Sequence, residues 1–238
     1  KNKNWSRLEF KNLVSIIRHE AFINDHHATH AHDDYGSFVL FYKGKEIIID
    51  PGRLNYQKRA RNCKYVDAEY HSTVTLNGMS ASNLKNEILF VPEYLNIKQE
   101  INYVSSENCE KIEIKQNGFT KYNKNEIIHK RTICLYEKEI HIKDKFIGSD
   151  NVELNKSFHI PKELKFMKFI NNKNIMTFCH DELNIDIQFI NKSLDEKQKL
   201  KNAKRALEYG KEVDSQSLEY KKMIRLPYSS EVIIKILD

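Results

Sequence analysis

The segment SFVLFYKGKEIIID, residues 37–50, decides the fold class of this chain. Both of its halves are rich in β-branched and aromatic residues, which favour strands. The tetrapeptide YKGK (42–45) between them is typical of a tight hairpin turn, in which Gly44 supplies the positive φ. The segment therefore predicts two antiparallel strands joined by a short turn.

The same strand pattern recurs along the chain. Short apolar segments separated by turn residues are typical of antiparallel sheets. In KIEIK (111–115) and EIHIKDKF (139–146), apolar side chains occupy every second position, which indicates one buried and one solvent-facing side. Further strands are predicted over 72–78, 87–94, 111–116, 126–136, 139–148, 163–170, 174–180, 183–190 and 229–237.

One segment departs from this pattern. SLDEKQKLKNAKRALEYG, residues 193–210, is charged, lacks β-branched residues and ends at Gly210, which predicts a helix with a glycine C-cap. The chain contains no Ser/Gly-rich linker and no abrupt change in composition. The predicted fold class is all-β: a single multi-stranded antiparallel β-sandwich domain over residues 1–238, with one helical excursion near 193–210.

Composition excludes several classes of protein. With 40% hydrophobic and 30% charged residues, the chain is too apolar to be disordered. No run approaches the roughly 18 consecutive apolar residues of a membrane helix. The four cysteines form no CxxC pair, which argues against a zinc ribbon or a disulfide framework. The net charge of +6 favours polyanionic partners. Without a clustered basic stripe we expect neither a nucleic-acid nor a membrane partner.

A histidine-rich stretch, HATHAHDD (27–34), directly precedes the hairpin. If this stretch is extended, His30 and His32 present both imidazoles on one side of a strand. A metal needs a third ligand, and Asp50, which ends the next predicted strand across the hairpin, is the candidate. His71, which opens a later predicted strand, is a candidate fourth group. Imidazole nitrogen with carboxylate oxygen is a ligand set that zinc accepts.

Each of these residues also has an ordinary alternative role. Asp50, which precedes a Pro-Gly pair, is typical of a side chain that caps a turn. His71 fits a buried or a surface histidine equally well. Asp33 and Asp34 either orient the imidazoles or belong to a turn. The spacing by itself does not choose between a metal site and these roles.

Two longer stretches carry a resemblance to a known family. HAHDDYGSFVLFYKGKEIIIDPGRLNY, followed by RNCKYVDAEYHSTVTLNG, resembles the C-terminal domain of the heparinase II/III-like polysaccharide lyases, a group that includes alginate lyases. The family motifs HxHxDxxSF, DPGxxxY and HNTV occur here in the same order over about residues 24–80. HNTV is HSTV in this chain, which leaves the role of the family's Asn unassigned.

The resemblance implies a fold and a set of site residues. It implies a β-sandwich that packs against an N-terminal (α/α) toroid, expected upstream of this chain, with the substrate cleft between the two. It also implies that His30 is catalytic and faces the cleft. His32, Asp50 and His71 would bind a structural zinc, and Tyr56 would line the cleft.

Basic residues near this motif are candidates for contacts with an acidic sugar. Arg53 stands where the family usually has Thr or Ser. Arg61 follows in a basic loop with Lys58 and Arg59. Each of them fits an exposed surface position equally well.

The implied activity is that of a polysaccharide lyase. Such an enzyme cleaves a uronic-acid-containing polysaccharide, a glycosaminoglycan or an alginate-like polymer, by β-elimination. Without the toroid we expect this chain to be inactive. The family implies a periplasmic or secreted location, although the first residues contain no apolar run of signal-peptide length.

Two other functions fit the sequence. One is a non-enzymatic carbohydrate-binding domain, or a structural sandwich that keeps the metal for stability. The other is a cupin-type metal enzyme, because HxH on a strand also occurs in that fold. A cupin requires a glutamate a few residues after HxH, where this chain has Tyr35 and Gly36.

Overall fold

The computed structural model describes residues 4–19, 32–55, 65–81, 97–123, 125–190 and 197–237. Within these ranges the chain forms strands and short 3-10 turns but no α-helix. The strands are β1 (Trp5–Phe10), β2 (Leu13–Arg18), β3 (Phe38–Tyr42), β4 (Lys45–Ile48), β5 (Val74–Leu76), β6 (Gln99–Ser105), β7 (Glu110–Gln116), β8 (Ile128–Leu135), β9 (Glu139–Ile147), β10 (Asn151–Pro161), β11 (Lys165–Ile170), β12 (Ile175–His180), β13 (Leu183–Phe189), β14 (Lys197–Glu208), β15 (Lys211–Arg225) and β16 (Tyr228–Leu237). The 3-10 turns are Ala68–Tyr70, Gly118–Tyr122 and Asn171–Lys173. The strand predicted over 87–94 lies outside the described residues.

The strands form three antiparallel sheets. Their orders are β1-β2-β3-β4, then β14-β15-β10-β5, and finally the eight-stranded β11-β12-β13-β16-β9-β8-β7-β6. One cluster of buried apolar side chains has members on all three sheets, so the sheets share a core as in a sandwich. The predicted all-β antiparallel class is confirmed. No described element is a helix with the length and apolarity needed to cross a membrane.

The hairpin of β3 and β4 forms as predicted. Lys43 and Gly44 both have positive φ, 48° and 77°, which is the backbone conformation of a two-residue turn matched to the twist of the strands. The alternation in β9 is also confirmed: Ile140, Ile142 and Phe146 are buried. Asp144 occupies a position with the same inward orientation, although it carries a charge.

The predicted helix near 193–210 is wrong. Residues 197–208 form β14, an edge strand paired along its whole length with β15. Helix propensities are worth only tenths of a kcal/mol per residue, so a full-length antiparallel partner outweighs them. The many lysines that resemble a solvated helix face suit an edge strand, because charged side chains discourage edge-to-edge aggregation. Gly210 has the expected positive φ, but it lies in the β14–β15 turn.

β10 and β15 are two further long strands that the sequence pattern failed to predict. They pair in continuous register from Asn151–Arg225 to Pro161–Ser215. Several inward positions on these strands carry polar side chains, among them Lys156, Ser215 and Ser217, which are all buried. Polar residues at buried positions remove the apolar alternation from which strands are predicted.

The turn after Asp50 depends on a glycine. Gly52 has a φ of +70°, and a Cβ there would lie 2.4 Å from the main-chain oxygen of Ala206 in β14. The amide of Ala206 in turn donates to the Pro51 carbonyl at 2.8 Å. β14 therefore holds this turn from outside, and the contact leaves no space for a side chain.

We predict that Gly52→Ala lowers the free energy of unfolding by at least about 3 kcal/mol, because backbone strain adds to a main-chain clash. Gly44→Ala is the matched control: Gly44 has a similar φ of +77° but no atom within 4 Å of a built Cβ. This control should lose only about 1–2 kcal/mol. Urea unfolding of both variants measures the difference, and equal losses would show that the contact with β14 is unimportant.

Candidate metal and carbohydrate site

Three side chains that the sequence singled out converge at one point. The Nδ1 atom of His71 lies 2.8 Å from Oδ2 of Asp50, and the rings of His32 and His71 have centroids 5.1 Å apart. One potential ligand atom from each of the three residues lies within 4.8 Å of the others. We call His32, Asp50 and His71 the ligand triad.

β10 explains why two of these segments meet. Beside Asp50, the amide of Ile49 donates to the His159 carbonyl at 2.9 Å. Beside His71, the Ser72 hydroxyl accepts from the amide of His159 at 3.2 Å. Two segments far apart in sequence are therefore attached to the same residue of β10.

The triad lies on loops, contrary to the strand placement predicted for the histidines. His32 lies in the irregular segment between β2 and β3, and His71 directly follows the 3-10 turn Ala68–Tyr70. The Asp33 amide donates to the Val66 carbonyl at 2.8 Å and Gly36 has a φ of +74°, so this segment does not continue into β3 as a strand. The alternation of side chains along a strand therefore does not determine the direction of the His32 side chain.

Asp50 caps a turn, as considered for it, and each of its carboxylate oxygens has a different partner. Oδ1 accepts from the Gly52 amide at 2.8 Å and caps the turn, whereas Oδ2 contacts His71. The turn bond orients the carboxylate toward the imidazole. The orientation of the Asp50 carboxylate is thus determined locally by the Asp-Pro-Gly sequence.

The two histidines differ in charge. Burial disfavours the charged form of His71, but the Asp50 carboxylate and its hydrogen bond outweigh burial and raise the pKa of His71 to about 9. Burial, and then the nearby charge of His71, lower the pKa of His32 to about 4. At neutral pH the Nδ1–H group of His71 therefore donates to Asp50, and His32 keeps a neutral ring with a lone pair.

Asp33 and Asp34 belong to the electrostatic surroundings of the triad. Both carboxylates favour the charged form of His71. Burial raises the pKa of Asp34 to about 6, although Arg18 lies 3.6 Å away, measured from Nε to Oδ1. No sequence pattern indicated the contribution of Arg18, because β2 was itself not predicted.

The chemistry of the triad suits a metal ion. Nε2 of His71 is buried and has no hydrogen-bond partner among the described residues, and the same holds for Nδ1 of His159 nearby. A buried polar atom without a partner is costly unless a bound group satisfies it. Two imidazoles and a carboxylate form a donor set that zinc accepts. These residues could therefore hold a metal ion, and no sequence pattern pointed to His159.

Arg53 lies beside the triad. Its Nε donates to the Asn55 carbonyl at 3.1 Å, and its charge contributes to the lowered pKa of His32. The half-buried guanidinium is therefore close to the metal-binding candidates. The other predicted site residues, His30, Tyr56 and Arg61, lie outside the described residues, as do Lys58 and Arg59.

A second group of charged residues lies inside the sandwich, and we call it the Asp144 cluster. It consists of Asp144, Arg131, Lys156 and His129, each at most 4% exposed. Oδ1 of Asp144 accepts from His129 Nε2 and Arg131 Nε, both at 2.8 Å. Oδ2 accepts from Arg131 Nη2 at 3.1 Å and Lys156 Nζ at 2.7 Å. The sequence contains a signal for this cluster, because charged residues occupy inward positions of the alternating strands β8 and β9.

A profile of the family described as Heparinase II/III-like, C-terminal matches residues 2–232. This chain belongs to that family. A search of curated proteins gave no significant match.

Solved structures with the same fold include lyases of this family. This heparinase II/III-like C-terminal domain is similar to heparan sulfate lyase HepC from Pedobacter heparinus, with 20% identity and a TM-score of 0.77 over 100% of this chain. It is also similar to heparinase III, with 17% identity and a TM-score of 0.73 over 98% of the chain. The chain spans only 36% and 35% of those two chains, respectively.

The sandwich also resembles a protein of about its own length. A putative mutarotase, YeaD from Salmonella typhimurium, shares 8% identity with a TM-score of 0.52, and the match covers 100% of this chain and 95% of that one. At these identities the structural likenesses establish the fold alone.

The Asp144 cluster leads to a prediction about stability. Burial disfavours the charged carboxylate, but Arg131 and Lys156 outweigh burial and hold the pKa of Asp144 well below its ordinary value. We expect Asp144→Asn to lose about 3–5 kcal/mol of unfolding free energy at pH 7, because two buried cations lose their counter-charge. A depressed pKa contributes stability above about pH 4, and the wild type loses this stability as the pH falls. The difference in unfolding free energy between the wild type and Asp144→Asn should therefore shrink in acid.

Denaturant unfolding between pH 3 and 7 measures this effect. Asp214→Asn is the control, because Asp214 forms an exposed ion pair with Lys204. Surface pairs contribute at most about 1 kcal/mol. Similar losses in the two variants would contradict the importance of the buried cluster.

Proposed function

We propose that this chain is the sandwich domain of a polysaccharide lyase that cleaves a uronic-acid-containing acidic polysaccharide by β-elimination. The observation that carries the proposal is the convergence of His32, Asp50 and His71 within a heparinase II/III-like domain. The family, the ligand triad and the adjacent arginine support the same function. The heparan sulfate lyase activity named for HepC makes a glycosaminoglycan one substrate class to test.

β-Elimination makes two demands on a site. The proton at C5 of a uronate is barely acidic while the neighbouring carboxylate is ionised, so the site must neutralise that carboxylate and stabilise the enolate-like charge. A base must then remove the proton, and an acid must protonate the departing glycosidic oxygen. Each demand calls for cationic or proton-transferring side chains at the cleft.

Residues on either side of the triad suit these tasks. His30 is two residues from His32 and would transfer a proton or hydrogen-bond the uronate carboxylate. Arg53 places a guanidinium near His32, and a guanidinium pairs with carboxylates through two parallel hydrogen bonds. Tyr56 and Arg61 continue the same segment and would contact the sugar chain.

The triad itself would hold a structural zinc. The neutral His32 ring and the Asp50 carboxylate are ready donors, and His71 would give up its proton on binding. A zinc bound here would supply folding free energy by joining three loops. Because the protein and the zinc would together hold these loops in place, the cleft residues next to the loops would keep their positions.

We further propose that an N-terminal (α/α) toroid completes the cleft. The family's lyases in the comparison are nearly three times as long as this chain, which leaves room for such a domain. The toroid would supply the remaining acid, base and carboxylate-binding groups. A periplasmic or secreted location would bring the enzyme to its polymeric substrate.

The metal site is tested by metal analysis of the purified chain. We expect about one zinc per wild-type chain, none in His32→Ala, and a marked fall in melting temperature when a chelator removes the ion. His180→Ala is the matched control: His180 is partly exposed, lies on β12 and pairs with Asp181. A metal-free wild type, or equal zinc in wild type and His32→Ala, would refute the site.

Activity is tested on the protein that includes the proposed toroid. Incubation with heparin, heparan sulfate or alginate should produce the ultraviolet absorbance of an unsaturated uronate. His30→Ala should lower kcat by about a hundredfold or more while retaining zinc. The present chain alone should give no product. Polysaccharide binding without cleavage would instead favour the non-enzymatic carbohydrate-binding role.

A further inference from the structure

Arg131 connects the Asp144 cluster to the loops of the ligand triad. Its Nε and Nη2 atoms bind Asp144, as described above. The remaining terminal nitrogen, Nη1, donates to the Gly36 carbonyl at 2.7 Å and to the Ser72 carbonyl at 3.3 Å. One buried guanidinium therefore binds two carbonyls from separate loops.

These two carbonyls lie close in sequence to the two histidines of the triad. Gly36 is four residues after His32, and Ser72 directly follows His71. A second bond joins the same loops, because the Thr73 hydroxyl donates to the Tyr35 carbonyl at 2.6 Å. The loops thus meet at Arg131, on the side that faces the eight-stranded sheet.

Only arginine suits this position. A planar guanidinium presents five N–H donors in a fixed arrangement, so it can bind a carboxylate with one edge and carbonyls with the other. A lysine ammonium has three donors on a flexible chain and cannot cover both partners in this way. Because Arg131 is 2% exposed and held by Asp144, its orientation is set before any ligand binds.

We propose that Arg131 is a positioning residue that sets the separation of the His32 and His71 loops and so preorganises the metal site. This inference rests on the metal site proposed above. Arg131 acts through the main chain of the two loops, by its bonds to the Gly36 and Ser72 carbonyls. Metal affinity would then depend on a residue of the opposite sheet.

The test compares two variants that each alter one cationic partner of Asp144. Arg131→Lys keeps a positive charge but loses the bonds to the carbonyls of Gly36 and Ser72. Lys156→Gln is the matched control, because its Nζ also binds Asp144 and is equally buried. Zinc affinity is measured by competition with a chromophoric chelator, and the geometry of the site by the absorption spectrum of bound cobalt.

We expect Arg131→Lys to weaken zinc affinity about tenfold or more and to change the cobalt spectrum, as residues behind metal ligands commonly do. Lys156→Gln should bind zinc within about threefold of the wild type, even if it loses as much unfolding free energy as Arg131→Lys does. Equal affinities and spectra for the two variants would overturn the positioning role and leave Arg131 a purely structural residue.

Hydrogen exchange of the metal-free chain separates this proposal from the metal site itself. Arg131→Lys should speed amide exchange in residues 32–37 and 71–73 more than Lys156→Gln does, and the opposite order would overturn the proposal. A wild type without zinc would refute the metal site, while exchange would still decide the role of Arg131. If Arg131→Lys does not fold, a triple variant is measured in the same way. It replaces the buried charges by apolar groups and carries Arg131→Met, Asp144→Leu and Lys156→Met.

Discussion

A single buried carboxylate links the sheets of this domain. Asp144 on β9 cannot remain charged inside the sandwich without partners, and its cations come from β8 of its own sheet and β10 of another. Arg131 extends the network to the loop that leads into β3, in the third sheet. Removing Asp144 would leave two buried cations without their counter-charge, and removing Arg131 would take away the side-chain donor to the Gly36 carbonyl. The way the sheets face each other therefore depends on this network.

The ligand triad follows from this arrangement. His32, Asp50 and His71 belong to three loops that are brought together from two directions: β10 binds the loops of Asp50 and His71, and Arg131 binds those of His32 and His71. The resulting site contains a protonated and a neutral histidine around one carboxylate. Nε2 of His71 and Nδ1 of His159 are buried there without a hydrogen-bond partner among the described residues, and this cost supports the proposed metal site. Arg53 adjoins the site, where its charge contributes to the lowered pKa of His32.

The sequence predicted much of the fold because the alternation of β7 and β9 and the hairpin turn at Gly44 are local properties. It also identified the three members of the triad, because their motifs occur in a recognisable order along the chain. The helix predicted near 193–210 failed because lysine, leucine and alanine favour a helix only weakly, while pairing with β15 is a property of the folded chain. β10 and β15 were missed for a related reason: buried polar side chains such as Lys156 and Ser215 interrupt their apolar alternation, and the partner of Lys156, Asp144, lies on another sheet.

The sequence by itself determined the strand-rich class, the Asp-Pro-Gly turn that orients Asp50, and the family to which the chain is similar. Each of these depends on neighbouring residues or on motif order. Only the tertiary structure decided that His32 and His71 lie on loops, that His159 stands beside them, and that Arg131 joins their segments to Asp144. Those contacts link residues up to 110 positions apart, as between Ile49 and His159. Their energies arise from burial and charge compensation, which exist only once the sheets have packed.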